Sequence, residues 1–161
     1  MKEEVLYLAV KEKLEELFIA KNCEIYLEVT AKGFSNKLKN QIPENRHIIF
    51  SFLTYKPDLT GFIEEKYSKH FIVAEIKNRK IKLNDIYQLR KYSDLFQAKF
   101  AFLISVQEIP AEIKALCKVE YKILMRNYPL PNLTLVYFNK DINKFIEWFE
   151  ENPFEKDIYW R

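Results

Sequence analysis

Pro57-Asp58-Leu59-Thr60-Gly61-Phe62-Ile63, followed by Phe71-Ile72-Val73-Ala74-Glu75-Ile76-Lys77, sets the architecture of this chain. Both segments have the length and the β-branched and aromatic content of strands. The polar connection Glu64–His70 is of hairpin length, so the two read as neighbouring antiparallel strands. Pro57 has no N–H for a ladder and holds Lys56 in extended backbone, which marks where the first strand begins. In the second strand Glu75 and Lys77 share a face with Phe71 and Val73, while Ile72, Ala74 and Ile76 point the other way. Charges on an inward face cost on the order of several kcal/mol unless they are paired or bound to a metal. Such a breach of the packing rule is where function is expected.

Working outward, residues 2–19 form an amphipathic pattern in which Leu6, Val10, Leu14 and Leu17 recur at helical spacing, with Tyr7 and Phe18 beside them. Glu3 falls on that apolar stripe and is expected to project inward. Residues 23–30 alternate as a half-buried strand, and 31–46 read as an irregular, mobile loop that tracks substrate. His47–Tyr55, rich in Ile and Phe, is strand-like. The spacing predicts a helix over 83–97 with Ile86, Leu89, Tyr92 and Phe96 inward, a central strand over 99–106, and a helix over 110–118 with Pro110 in its first turn. Residues 133–138 read as a strand. Asp141 is placed to cap a last helix burying Ile142, Phe145, Ile146 and Phe149. Beyond Pro153 the tail is expected to be irregular or packed by Tyr159 and Trp160. This order implies an α/β fold, a mixed β-sheet flanked by helices, in one domain spanning 1–161.

Bulk properties narrow the class. A chain of 161 residues suits one compact core. No apolar run reaches the roughly 18 residues that span a bilayer, and the N-terminus lacks a signal-peptide profile. The expectation is a cytoplasmic protein with no membrane association. Cys23 and Cys117 lie far apart and His47 and His70 are isolated, which disfavours a disulfide framework, a zinc site or an iron–sulfur cluster. The net charge of +3 is mild. Abundant Lys, Glu, Ile and aromatic residues fit a thermophile, and equally an AT-rich coding sequence. The first hints at an archaeon or an archaeal virus, with the host cytoplasm as the location if viral.

The chemistry of the two strands is specific. Asp58 opposite Glu75 brings hard oxygen ligands together, of the kind Mg²⁺ prefers. A divalent ion there would neutralise a phosphate and activate water, and Lys77 could help position that water and stabilise developing negative charge. The ordinary alternative is a buried ion pair between strands. Arg79, Lys80, Lys82, Arg90 and Lys91 follow closely and suit a nucleic-acid backbone, or simply a solvated face. Gln88 and Tyr92, four residues apart on the next helix, share an edge from which an amide and a phenol can reach a phosphate or a base. Spacing alone equally allows Tyr92 in the core and Gln88 on the surface.

Pro57-Asp58…Glu75-Ile76-Lys77 resembles the motif of the PD-(D/E)XK nuclease superfamily, and Gln88…Tyr92 resembles the QxxxY motif of its RecB-like branch. The likeness covers the element order of residues 1–106. It implies a restriction-endonuclease-like core and a DNA nuclease dependent on Mg²⁺, with Mn²⁺ able to substitute. By that likeness Asp58, Glu75 and the backbone carbonyl of Ile76 hold metal, Lys77, Gln88 and Tyr92 join the catalytic set, and the first helix supplies a further acid, Glu3 or alternatively Glu12. The branch often has an early histidine that the first helix here lacks, and its iron–sulfur members need four cysteines. Other readings are a homodimeric structure-selective endonuclease like a Holliday-junction resolvase, a non-catalytic DNA-binding protein on the same fold, and a protein-interaction module.

Overall fold

A computed structural model of the protein describes residues 3–65 and 67–160. The first element is helix α1 (Glu3–Ala20), followed by strand β1 (Glu24–Val29) and a one-turn helix α2 (Asn36–Lys39). The hairpin β2 (Leu59–Glu65) and β3 (Ser68–Lys77) comes next, then helix α3 (Leu83–Phe96), strand β4 (Phe100–Ser105), helix α4 (Ala111–Val119) and the strands β5 (Thr134–Asn139) and β6 (Lys144–Trp148). The six strands form one mixed sheet in chain order. Neighbours β1–β2, β2–β3 and β5–β6 are antiparallel, whereas β3–β4 and β4–β5 are parallel and are crossed by α3 and α4. The expected α/β class with a mixed, helix-flanked sheet is what forms.

Alternation along the central strands divides the core into two layers. Val73, Ala101, Leu103 and Leu135 pack with Ile86, Leu89, Tyr92 and Phe96 of α3 and with Ile113 and Cys117 of α4. Ile72, Ala74, Ile76, Phe100, Phe102 and Ile104 pack on the other side with Leu6, Val10, Leu14 and Phe18 of α1. The tail after Pro153 joins this second layer. Phe100, Phe102, Phe154 and Trp160 lie nearly parallel, with Phe18 edge-on against them. Gly61 has a steric reason. A Cβ there would sit 1.9 Å from the Tyr26 carbonyl oxygen, so β1 and β2 close only on a residue without a side chain.

Several sequence expectations need correction. Glu64–His70, expected as a polar connection, is largely strand, because Glu64 and Glu65 pair with Lys69 and Ser68. His47–Tyr55 is no strand: Glu44–Phe52 winds into 3₁₀ turns. Val29 pairs directly with Leu59, so the segment does not lie between β1 and β2, and no strand of the described sheet lies outside β1. The His47 ring bonds the carbonyls of Lys39 and Ile42 (3.0 and 2.9 Å), and Arg46 donates to the Leu95 carbonyl (2.8 Å), so tertiary contacts support a 3₁₀ run longer than is usual. The stretch 31–46 is less irregular than expected, since it contains α2 and buries Leu38 and Ile42. Residues 141–149 contain β6 instead of a helix. Asn139 accepts the N–H groups of Asp141 and Ile142, and Asn143 adopts a left-handed φ of 55°, so an Asx turn reverses the chain where Asp141 was expected to cap. Ile142 and Ile146 are consequently exposed.

Candidate functional site

Asp58 precedes β2 by one residue. Leu59 pairs with Ala74, so continuing the register sets Asp58 opposite Glu75. The main chain at Asp58 is clamped from the end of β1. The Thr30 N–H donates to the Asp58 carbonyl (2.8 Å), and the Thr30 hydroxyl contacts the Pro57 carbonyl (2.5 Å) and the Thr60 hydroxyl (2.8 Å). The two acids then lock each other's strands. The Asp58 N–H donates to Glu75 Oε1 (3.1 Å), and the Ile76 N–H donates to Asp58 Oδ2 (2.7 Å). At 8 % and 3 % exposure, Asp58 and Glu75 are nearly out of water.

Their electrostatics are unbalanced. Burial pushes the Asp58 carboxyl up, against the Ile76 N–H, the Tyr7 hydroxyl and the Lys77 ammonium, which pull it down. Burial followed by the charge of Asp58 pushes Glu75 up to about 7, with Lys77 only partly offsetting the rise. Lys77 Nζ lies 3.2 Å from Glu75 Oε2 and 3.8 Å from Asp85 Oδ1. Asp85, the third residue of α3, is also buried. It accepts two bonds from Arg79 (2.7 and 2.9 Å) and one from the Lys82 N–H (2.8 Å). Burial opposes its ionisation, but Arg79, the Lys82 N–H and Lys77 outweigh burial and hold its carboxyl below the usual range.

Tyrosines approach the acids from both faces of the sheet. Tyr92 on α3 is fully buried and its hydroxyl oxygen has no hydrogen-bond partner among the described residues. Burial and the charges of Glu75 and Asp58 raise its pKa, with the Gln88 amide a partial offset. Tyr7 on α1 is raised by burial and by the charges of Asp58 and Glu3, and its hydroxyl donates toward the Asp58 carboxylate. Glu3, Tyr7, Asp58, Ile76, Lys77, Asn78 and Arg79 line a solvent-open cleft of ≈ 340 Å³.

The expected residues are therefore sorted. Asp58, Glu75, Ile76, Lys77 and Tyr92 converge, and half-buried Gln88 sits one turn before Tyr92. Glu3 is exposed, which corrects the expected inward projection. It continues the stripe of Leu6 and Val10 beyond the last core residue, so it meets the cleft instead of the core. Glu12 is exposed and is not among the residues lining the cleft. Arg79 is engaged by Asp85, and Arg90 donates to the carbonyls of Lys122, Ile123 and Met125. Exposed Lys80, Lys82 and Lys91 have no carboxylate partner among the described residues. Among the described residues, no three His, Cys, Asp or Glu side chains group closely enough to hold a metal ion. Asp85 and Tyr7 were not foreseen as site residues. The signal for Asp85 was an acid three residues into a helix with an arginine six residues earlier.

No helix among the described residues is long and apolar enough to cross a membrane. Comparison with protein-family models, with curated proteins and with solved structures found no match to the chain.

Proposed function

We propose that the protein is a divalent-metal-dependent nuclease of the PD-(D/E)XK type, with a restriction-endonuclease-like core, that hydrolyses phosphodiester bonds in DNA at the Asp58–Glu75 cleft. The observation that carries this reading is two buried, mutually repelling carboxylates, both pushed upward in pKa, at the open end of two strands with one lysine for compensation. An acid pair so under-compensated is costly unless a cation joins it. The donors fit Mg²⁺ or Mn²⁺, which need only one or two protein carboxylates and keep several waters. Asp58 and Glu75 would hold the ion as two carboxylates, and Ile76 and Glu3 line the adjoining cleft without completing a group of three close acids among the described residues. When bound, the ion supplies Lewis-acid stabilisation of the scissile phosphate.

The protein's own groups supply the rest. Lys77 presents its ammonium beside Glu75, where it can hold a proton and stabilise charge gathering on phosphate oxygens. Asp85 keeps that ammonium anchored from the α3 side, and Arg79 keeps Asp85 ionised. The buried Tyr92 hydroxyl approaches the acids from the α3 side with the Gln88 amide beside it, and can help position them. Exposed Lys80, Lys82 and Lys91 can meet the backbone of the substrate.

The test is cleavage of linear, circular and four-way-junction DNA in Mg²⁺, Mn²⁺ or EDTA by wild type and Glu75→Ala. Metal-dependent cleavage lost in the variant supports the reading, and cleavage by the variant at the wild-type rate refutes it. A second reading, a DNA-binding protein whose acids are structural, draws on the reciprocal Asp58–Glu75 backbone bonds, which satisfy the pair in part without metal. It requires DNA affinity that is indifferent to metal and survives Asp58→Ala.

A further inference from the structure

We propose that the nucleotide flanking the phosphate in the cleft places its base, unpaired, in a neighbouring apolar groove between α1 and the end of β1, and that this groove prefers a base carrying an amino group. The inference deepens the hydrolase reading and rests on it for the phosphate that anchors the nucleotide. The groove is walled by Tyr7, Leu8, Val29 and Ala31 and encloses ≈ 860 Å³. Small-ligand sites span about 300 to 1,000 Å³ and pair apolar walls with a few polar groups that fix orientation. Leu8 is 55 % exposed on its helix, so the wall it forms is open to a ligand.

Groove and cleft form one trough. Glu3 and Tyr7 line both. The opposite wall is tied to the acids through the backbone. Val29 pairs with Leu59, and the next residue, Thr30, donates its N–H to the Asp58 carbonyl (2.8 Å). Ala31 follows directly, and both Val29 and Ala31 pack against the core layer of α1. The groove therefore opens beside Asp58, on the α1 side of the sheet.

The two halves of the trough differ in charge. The cleft is lined by Lys77 and Arg79. The groove has Lys32, which is taken by Glu4 (3.0 Å), and this leaves Glu3 in excess. A phosphate is repelled from the groove and drawn to the cleft, whereas a neutral, flat base finds apolar walls. A carboxylate only accepts hydrogen bonds. Glu3 and Glu4 therefore suit the amino donor of cytosine or adenine, and oppose the carbonyl oxygen that uracil or thymine presents at the same position. A base read along that edge cannot be paired to another strand. The substrates that fit are single strands, flaps and frayed ends.

The experiment is methyl NMR on the intact protein in Mg²⁺, titrated with deoxycytidine monophosphate and, separately, with deoxyuridine monophosphate. These two probes have the same shape and differ in an amino group against an oxygen. The cytidine nucleotide is expected to shift the methyl signals of Leu8, Val29 and Ala31, and to bind about 5-fold or more tightly than the uridine nucleotide. Ala31→Phe, which fills the groove, should abolish the shifts at Leu8 and Val29. Leu8→Ala should weaken binding by about 3- to 10-fold. Glu3→Gln combined with Glu4→Gln should erase the preference between the two nucleotides. Thermal midpoints check that the variants remain folded. Equal affinity for the two nucleotides, no shift at the three methyl groups, or folded Leu8→Ala and Ala31→Phe variants that bind like wild type, overturns the proposal. Ile76 lines the cleft and not the groove, so it separates the two claims. A shift at Ile76 alone, with DNA cleaved in Mg²⁺, removes only the groove. Shifts at Leu8, Val29 and Ala31, with no cleavage in any divalent metal, leave a nucleotide site and remove the hydrolase.

Discussion

Arg126 and the Asp58–Glu75 pair are both charged and both nearly buried, but the chain treats them differently. Arg126 donates to the carbonyls of Pro131 (2.8 Å), Ala98 (2.6 Å) and Lys99, stitching the start of β4 to the loop before β5. Burial lowers its pKa to about 10, and it stays charged at neutral pH. Every direction in which its guanidinium points is met by backbone. The acids have no comparable closure. They repel each other and share one lysine, and Asp58 lines a solvent-open cleft. Arg126 is met by backbone at each nitrogen, whereas the acids keep an uncompensated mutual repulsion, which is what the proposed cation would relieve.

The largest effect is expected at Arg126. Arg126→Met leaves three buried carbonyls unpaired and is expected to cost about 3 kcal/mol or more. For a chain of this size that lowers the thermal midpoint by roughly 6 to 12 °C. Calorimetry reads the shift, and cleavage per folded molecule should stay at the wild-type level. An Arg126 variant that unfolds no earlier would show that the closed arrangement carries little stability.

The open member should reveal itself through pH. Glu75 titrates near 7 in the fold and near its ordinary value when unfolded, so between those limits the folded state binds the extra proton. Stability of metal-free protein is therefore greatest near pH 5 and falls as the pH rises through 7, by on the order of 1 to 3 kcal/mol. Arg126 titrates far above this window and contributes nothing to the slope. Thermal midpoints in EDTA from pH 5 to 8 check the sign, and Glu75→Gln should flatten the curve.

Smaller effects sharpen the contrast. Asp58→Asn keeps an oxygen for the Ile76 N–H and removes the repulsion with Glu75. It is expected to stabilise metal-free protein at pH 8 by about 1 kcal/mol while abolishing cleavage, a gain in stability paired with a loss of function. Tyr92→Phe removes the unpartnered hydroxyl and should be neutral, or stabilising by up to about 1 kcal/mol in urea unfolding, with a lower cleavage rate. A marked destabilisation by Tyr92→Phe would mean that its hydroxyl has a structural partner.

How much of this was legible beforehand follows from where period and chemistry agree. The element order over 58–106 read correctly because period-2 strands and a period-3.6 helix follow one another, and because Glu75 and Lys77 violate burial in a visible way; Glu64–His70 did not, since its polar residues hide that β2 runs to Glu65 and β3 starts at Ser68. His47–Tyr55 misled because a run of Ile and Phe carries strand propensity without alternation, while the bonds of His47 and Arg46 to distant carbonyls, which spacing does not show, support its 3₁₀ turns. At 141–149 the apolar spacing suited a helix, and the Asn139 turn decided for a strand. Asp85 looked like a helix-start acid and Tyr7 like a core residue. Both roles depend on which elements the sheet places side by side, and one-dimensional spacing does not carry that information.

A divalent cation at the acid pair would be seen in Mn²⁺ binding followed by electron paramagnetic resonance. Mn²⁺ titrated into metal-free protein at pH 8 should be taken up at a single site by wild type and by Tyr92→Phe, with that uptake lost in Asp58→Asn and in Glu75→Gln. No uptake by wild type, or undiminished uptake by folded Asp58→Asn and Glu75→Gln, would contradict it.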